Sequence, residues 1–354
     1  MAKNIQELLK LVVEKKASDL HITVGSPPQL RIDEQLVKVG EEELNAEQTK
    51  EITYSLLNQD AIKSFEENME LDISFGIEGL SRFRMNVYQQ RGAVGCAIRR
   101  IPYQIMSLQE CGLPVKIVSD LCHKAKGLLL VTGATGSGKS TSLAAMINMI
   151  NQERHCHIIT VEDPIEYTFK NVKAIIEQRE VGSDTHSFGA SLKHILREDP
   201  DVILIGEMRD LETIQSALNI AETGHLVFAT LHTSDAVQTV NRIVDVFPAH
   251  QQQQVRTQLS FVLLGILSQQ LIPKPGGGRI LATEVLKANH AVRSLIREAK
   301  SHQVYSVIQT AQKEGMCTMN QALYQLCLKG VISHEEAMLR TTEPQDLERL
   351  FKKQ

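Results

Sequence analysis

The sequence predicts an α/β chain in two parts, the larger built on a parallel sheet with helices on both faces. Three observations predict it. After residue 113, near-continuous apolar runs alternate with helix-length patterns, as strands buried on both sides require. Between the first of these runs and a helix lies a glycine-rich stretch, "GATGSGKST" (133–141). Before residue 102 the strand-like runs are punctuated differently and return to polar–apolar alternation, which suits a small α+β domain on an antiparallel sheet. A length of 354 residues also favours two domains over one.

In chain order, Ile5, Leu8, Leu9, Val12 and Val13 share one stripe of an N-terminal helix. "DLHITV" (19–24) and "QLRIDEQLVKV" (29–39) are expected strands around Pro27-Pro28, which no helix tolerates. "AEQTKEITYSLLNQ" (46–59) and "QDAIKSFEEN" (59–68) are expected helices; "LDISFGI" (71–77), "RFRMNVYQQ" (82–90) and "GAVGCAIRRI" (92–101) return to strand. Pro102 opens an expected linker, 102–113. Beyond it "GLLLVT" (127–132), "CHIITVE" (156–162), "KAIIEQ" (173–178), "VILIGE" (202–207), "HLVFATL" (225–231) and "RILATEVL" (279–286) are strands, separated by helices at 189–197, 210–222 and 235–245. "QQQQ" (251–254) is a helix face and "PGGG" (275–278) a turn. After 288 nearly everything is helical, with Ser333 capping "HEEAMLR". The expected domains are therefore 1–101, 114–288 and a helical region 289–354.

Composition narrows the function classes. Hydrophobic residues at 42% supply an ample core. A formal charge of −4, no Trp and 4% aromatics argue against a nucleic-acid-binding surface or a base-stacking platform. Six scattered cysteines without a Cys-x-x-Cys pair fit neither a zinc knuckle nor a disulfide framework, so a reducing, cytoplasmic setting is expected. The N-terminus lacks a cleavage signal, and the longest uncharged stretch, "TQLSFVLLGILSQQLIP" (257–273), falls short of the roughly 20 apolar residues of a bilayer span. Any membrane association would then run through a partner.

The pattern G-x-x-x-x-G-K-[ST] is complete at Gly133, Gly138, Lys139 and Ser140, between a strand and a helix. Backbone N–H groups converge on an anion only where side chains do not interfere, hence the glycines, and the following helix adds its positive end. Lys139 is placed to reach the β- and γ-phosphates and the Ser140 hydroxyl to ligate Mg²⁺. A nucleotide site becomes a hydrolase when a carboxylate orients water, and Glu207 ends a buried strand where ligands of parallel sheets gather. A second acidic cluster, Glu162, Asp163 and Glu166 in "TVEDPIEYT", also follows a strand; not all three can point into one site, and the residues alone do not choose among them.

The run "VTGATGSGKSTSLAAM…ITVEDPIEYTF…LREDPDVILIGEMRDLETIQSAL…AETGHLVFATLHTSDAV" resembles the secretion ATPase superfamily, within its pilus-retraction branch, from "ASDLHI" (17–22) to "AVRSLIRE" (291–298). The resemblance implies a PAS-like N-terminal domain joined to a RecA-like P-loop ATPase domain. It implies a homo-hexamer that uses ATP and Mg²⁺ to power type IV pilus retraction by domain movement, passing the motion to an inner-membrane platform protein. On that likeness Gly133, Ala134, Thr135, Gly136, Ser137, Gly138, Lys139, Ser140 and Thr141 form the Walker A loop. Glu207 polarises the attacking water, Glu166 is the catalytic glutamate of the Asp box, and His225 and His232 are the histidines that sense or position the γ-phosphate. Ser294 stands where the family signature has Asn, and Ala134 where Pro is frequent.

A phosphoryl transition state is also stabilised by cations from a neighbouring subunit, for which Arg82, Arg84, Arg99 and Arg100 are candidates. Arg82 and Arg84, at i and i+2, share one face of a strand. Three other readings stand beside retraction: a sister extension or type II secretion ATPase, an accessory retraction paralogue, and a RecA-like nucleic-acid translocase. The first commonly carries a four-cysteine zinc module that this chain lacks; the last sits poorly with the acidic balance.

Overall fold

The computed structural model describes residues 4–32, 35–77, 79–101 and 105–352. The chain forms two compact units, one up to residue 104 and one from residue 105. Positions 102–104 of the expected linker lie outside the described residues, as do positions 33 and 34 of the expected strand 29–39.

The first unit runs α1 (Ile5–Glu14), β1 (Asp19–Ile22), β2 (Gln29–Ile32), β3 (Gln35–Lys38), α2 (Ala46–Tyr54), α3 (Gln59–Asn68), β4 (Glu70–Ile77), β5 (Ser81–Gln90) and β6 (Ala93–Ile101). Its strands form one antiparallel sheet in the order β3-β2-β1-β6-β5-β4. The alternation on β5 explains the layering: Phe83, Met85 and Val87 are fully buried, so Arg82, Arg84 and Asn86, which alternate with them, face the other way. That apolar face packs with Leu8, Leu9 and Val12 of α1, whose N-terminus is capped by the Asn4 side chain accepting from the Gln6 N–H.

The second unit runs α4 (Val115–Cys122), β7 (Gly127–Thr132), α5 (Lys139–Glu153), β8 (His157–Glu162), β9 (Ile175–Glu180), α6 (Phe188–Ile195), β10 (Val202–Ile205), α7 (Leu211–Glu222), β11 (Leu226–Leu231), α8 (Ala236–Asp245), α9 (Ala249–Val262), β12 (Leu263–Pro273) and β13 (Arg279–Lys287). α10 (His290–Arg297), α11 (Val304–Thr310), α12 (Met319–Leu328), α13 (His334–Arg340) and α14 (Pro344–Lys352) complete it. Seven strands form one sheet, β13-β12-β7-β11-β10-β8-β9. The apolar runs are continuous because both faces are covered. Leu128 and Leu130 of β7 pack with α6 to α10, whereas Leu129 and Val131 pack with α4 and α5. Leu108 and Leu113, from the expected linker, are buried in that second cluster.

The expected strand 29–39 is two strands, β2 and β3, paired antiparallel, and two features of the large sheet also differ from the sequence expectation. Of the stretch noted only as uncharged, 257–262 end α9 and β12 occupies the rest, starting directly from that helix. The sheet is also not wholly parallel: β13 pairs antiparallel to β12, because the short turn at 274–278 cannot carry the crossover that a parallel neighbour needs. β7 and β11 are neighbours whose following helices, α5 and α8, lie on opposite faces. This opens the crevice at their carboxyl ends where such sheets hold ligands. In α10, Ser294 donates to Glu298 at 2.9 Å. Arg293 satisfies the terminal carbonyls of α9, donating to Phe261 O at 2.7 Å and to Leu263 O at 2.9 Å.

Phe228, fully buried on β11, tests the sheet's packing: Phe228→Ala should lower stability by about 3–5 kcal/mol in urea-induced unfolding.

Candidate active site

The loop between β7 and α5 is shaped by what presses on it. Gly133 has φ 142°, and a Cβ there would run into the Gln269 carbonyl oxygen of β12 and lie 2.6 Å from Ser137 Oγ. Gly138 caps α5 with φ 92°, in the left-handed region. The flanks are fastened by buried polar bonds: Thr132 Oγ1 donates to Ser268 Oγ at 2.9 Å, and Gln269 Nε2 to Ser142 Oγ at 2.7 Å. The Ser137 hydroxyl is buried without a hydrogen-bond partner, which suits a loop built to meet a further polar group. Lys139 Nζ donates to the carbonyls of Gly133 at 2.8 Å and Ala134 at 3.0 Å. Burial lowers its pKa, opposed by the charges of Glu207 and Glu166. The loop bounds a cavity of about 220 Å³ shared with Ser234 and Leu271.

Across the crevice, β10 ends at Ile205, and Gly206 donates its N–H to Val161 O at 2.8 Å. Glu207 follows. Its Oε1 lies 3.1 Å from His232 Nε2 and 2.7 Å from Arg209 Nε, while Oε2 accepts from Arg209 Nη2 at 2.7 Å. Burial raises the Glu207 pKa, but the Arg209 hydrogen bond and the His232 charge outweigh it, leaving the carboxyl below the usual range and ionised at neutral pH. His232 follows β11 directly beside the phosphate loop, since Leu231 pairs with Thr132.

Lys139, Glu207, His232 and Glu166 are thus brought to one edge of the sheet. His225 is not. It precedes β11 at the opposite edge, where its carbonyl accepts from Gly127 at the start of β7 and its ring bonds the Ile220 carbonyl at 3.1 Å. Within a single chain a strand's length separates the two histidines. Arg82, Arg84, Arg99 and Arg100 lie in the first unit. Arg82 donates to Ser74 at 3.0 Å, Arg84 lies 3.6 Å from Asp72, and Arg99 donates to Asp19 at 2.9 Å.

Two further residues support the Glu166 loop: Tyr167, which carries no motif signal, and Glu162 of the second acidic cluster. Tyr167 bonds Thr141 Oγ1 through its hydroxyl at 2.9 Å, tying the loop of the exposed Glu166 to the start of α5. Glu162 accepts from Thr160 Oγ1 at 2.6 Å, from Gln178 Nε2 at 3.3 Å and from the Glu166 N–H, so it braces this loop from inside. Although the residue as a whole keeps some solvent contact, burial pushes its carboxyl up to about 7. A raised folded-state pKa favours the protonated form. The contribution is complete below the ordinary value of 4.5 and is lost as pH rises through about 7. Glu162→Gln removes that loss, so thermal melts from pH 4.5 to 8 should show the variant gaining on the wild type as pH rises.

Among the described residues no three His, Cys, Asp or Glu side chains gather as a metal site, and no helix is long and apolar enough to cross a membrane. The type II/IV secretion system protein family matches residues 1–339. The chain is 46% identical to the type IV pilus retraction ATPase PilT of Pseudomonas aeruginosa over 345 residues, covering 97% of this chain and 99% of that protein. It is 42% identical to the type IV pilus ATPase PilU of the same organism over 348 residues, covering 98% and 91%. A crystal structure of the pilus retraction motor PilT with bound ADP superposes with a TM-score of 0.93 at 52% identity, covering 98% of this chain and 99% of that one. The chain belongs to the type II/IV secretion system protein family.

Proposed function

We propose that the chain is an ATP-hydrolysing motor for type IV pilus retraction, acting as a homo-hexamer at the cytoplasmic face of the inner membrane through a platform protein. The observation that carries the reading is the meeting of the Lys139 loop with the Glu207–His232 pair across one crevice. Full-length likeness to a pilus retraction motor crystallised with ADP supports it. Similarity to PilU makes an accessory retraction ATPase the second reading.

The chemistry follows from the groups present. An incoming β,γ-phosphate pair replaces two weak carbonyl acceptors at Lys139 with charged ones, while the glycine-lined loop supplies backbone N–H donors. Glu207, kept ionised, polarises the attacking water; Arg209 and His232 hold its orientation, and His232 senses the terminal phosphate. Glu166, on its braced loop, assists from the adjacent strand end. Were Mg²⁺ bound, the Ser140 hydroxyl and the Glu207 carboxylate, both hard oxygen donors, would hold it, and it would offset phosphate charge. His225 acts only across a subunit interface, as do the cations drawn from Arg82, Arg84, Arg99 and Arg100. Turnover then drives domain movement by differential affinity for the nucleotide states.

Lys139→Ala should weaken ATP binding at least a hundredfold in an equilibrium titration. Glu207→Gln should still bind ATP yet release phosphate about 10²–10⁴ times more slowly. In cells, deletion of the gene should give hyperpiliated, non-twitching bacteria that only the wild-type copy restores. Bald cells would instead assign it to assembly, and normal twitching would assign it to the accessory role.

A further inference from the structure

Arg340 ends α13, in the helical region that no nucleotide motif touches. Arg340 nevertheless lines the same cavity as Gly133, Ala134, Ser137 and Ser234. The last turn of α13 is set against β12, where Gln270, next to the residue that presses on Gly133, donates to the Arg340 carbonyl at a long 3.5 Å. The guanidinium is paired with Glu336, Nε to Oε1 at 2.7 Å, one turn back on the same helix. That is an exposed i,i+4 pair, and such pairs hold an arginine weakly. A phosphate offers more charge and a bidentate geometry that the guanidinium fork matches.

We propose that Arg340 is a binding residue for the terminal phosphate of ATP held by the loop, exchanging Glu336 for phosphate oxygens. This rests on the reading of the loop as an ATP site. The end of the nucleotide follows from its neighbours on the cavity wall. Ser234 stands two residues after His232, and His232 pairs with Glu207, which favours the hydrolytic end of the nucleotide for Arg340. Two consequences follow. The phosphate receives a second cation from the same chain besides Lys139. The helical region, through α13, contacts the nucleotide only while the terminal phosphate is present.

The test uses the full-length protein, titrated with fluorescently labelled ATPγS and ADP. Arg340→Ala should weaken ATPγS tenfold or more, equivalent to about 1.4 kcal/mol, while ADP loses less than threefold. Glu336→Gln, which keeps Arg340 and removes its competing partner, should tighten ATPγS severalfold with ADP unchanged; it reads the same exchange if the alanine variant misfolds. Lys139→Ala reports on the loop itself and should lose both ligands. Wild-type ATPγS affinity in Arg340→Ala, equal losses for ATPγS and ADP, or no gain in Glu336→Gln would each overturn the proposal while leaving the loop reading intact. Undiminished binding in Lys139→Ala would overturn both.

Discussion

The contact of β12 with the phosphate loop is the constraint on which the site depends. The Gln269 carbonyl occupies the space that any side chain at 133 would need. Ser268 and Gln269 fasten the loop at both ends, Ser268 at the last residue of β7 and Gln269 at the first turn of α5. The loop is therefore held from outside by buried hydrogen bonds, in addition to the bonds of Lys139 to its own carbonyls. This fixes its N–H groups in advance of any ligand, and donors that need not reorganise are worth most to a developing charge.

Electrostatics on the far side of the crevice are arranged with the same economy. Glu207 carries a negative charge close enough to support Lys139 as a cation despite burial. Arg209 and His232 in turn hold Glu207 ionised against its own partial burial. Neither arginine nor histidine needs to touch a phosphate for this to matter, since each fixes both the charge and the direction of the carboxylate. Tyr167 and Glu162 perform the equivalent task for the Glu166 loop, one by tying it to α5 and the other by bracing it from beneath.

The strands of the large sheet were legible because burial on both faces leaves long apolar runs, and the phosphate loop because its glycines and lysine stand at a fixed spacing. β12 was not legible for the opposite reason. Ser268, Gln269 and Gln270 break its apolar pattern, and the first two are buried only because partners on β7 and α5 meet them. Periodicity cannot reveal a bond to a residue so distant in sequence. The same holds for Tyr167, Arg209 and Arg340, whose importance lies in which side chain they meet. His225 illustrates the converse: its spacing to His232 suggests a pair, yet a strand runs between them and carries one to each edge.

β13 extends the logic of β12 beyond the site. Glu284 pairs across the sheet with Ser268, which itself bonds Thr132 at the root of the loop. Its carboxylate is almost fully buried, accepting from the Ala236 N–H at the start of α8 at 2.9 Å and from the Met319 N–H at the start of α12 at 3.3 Å. Burial, with the nearby Asp235 charge, pushes it up to about 7, while the two backbone donors pull the other way. One side chain therefore joins the segment that follows His232 to α12 in the C-terminal helical region. A shift of the His232 loop cannot leave α12 unaffected without abandoning a buried carboxylate, and abandoning it is costly. The helical region is thus bound into the nucleotide site by its fold, through β13 on one side and α13 on the other.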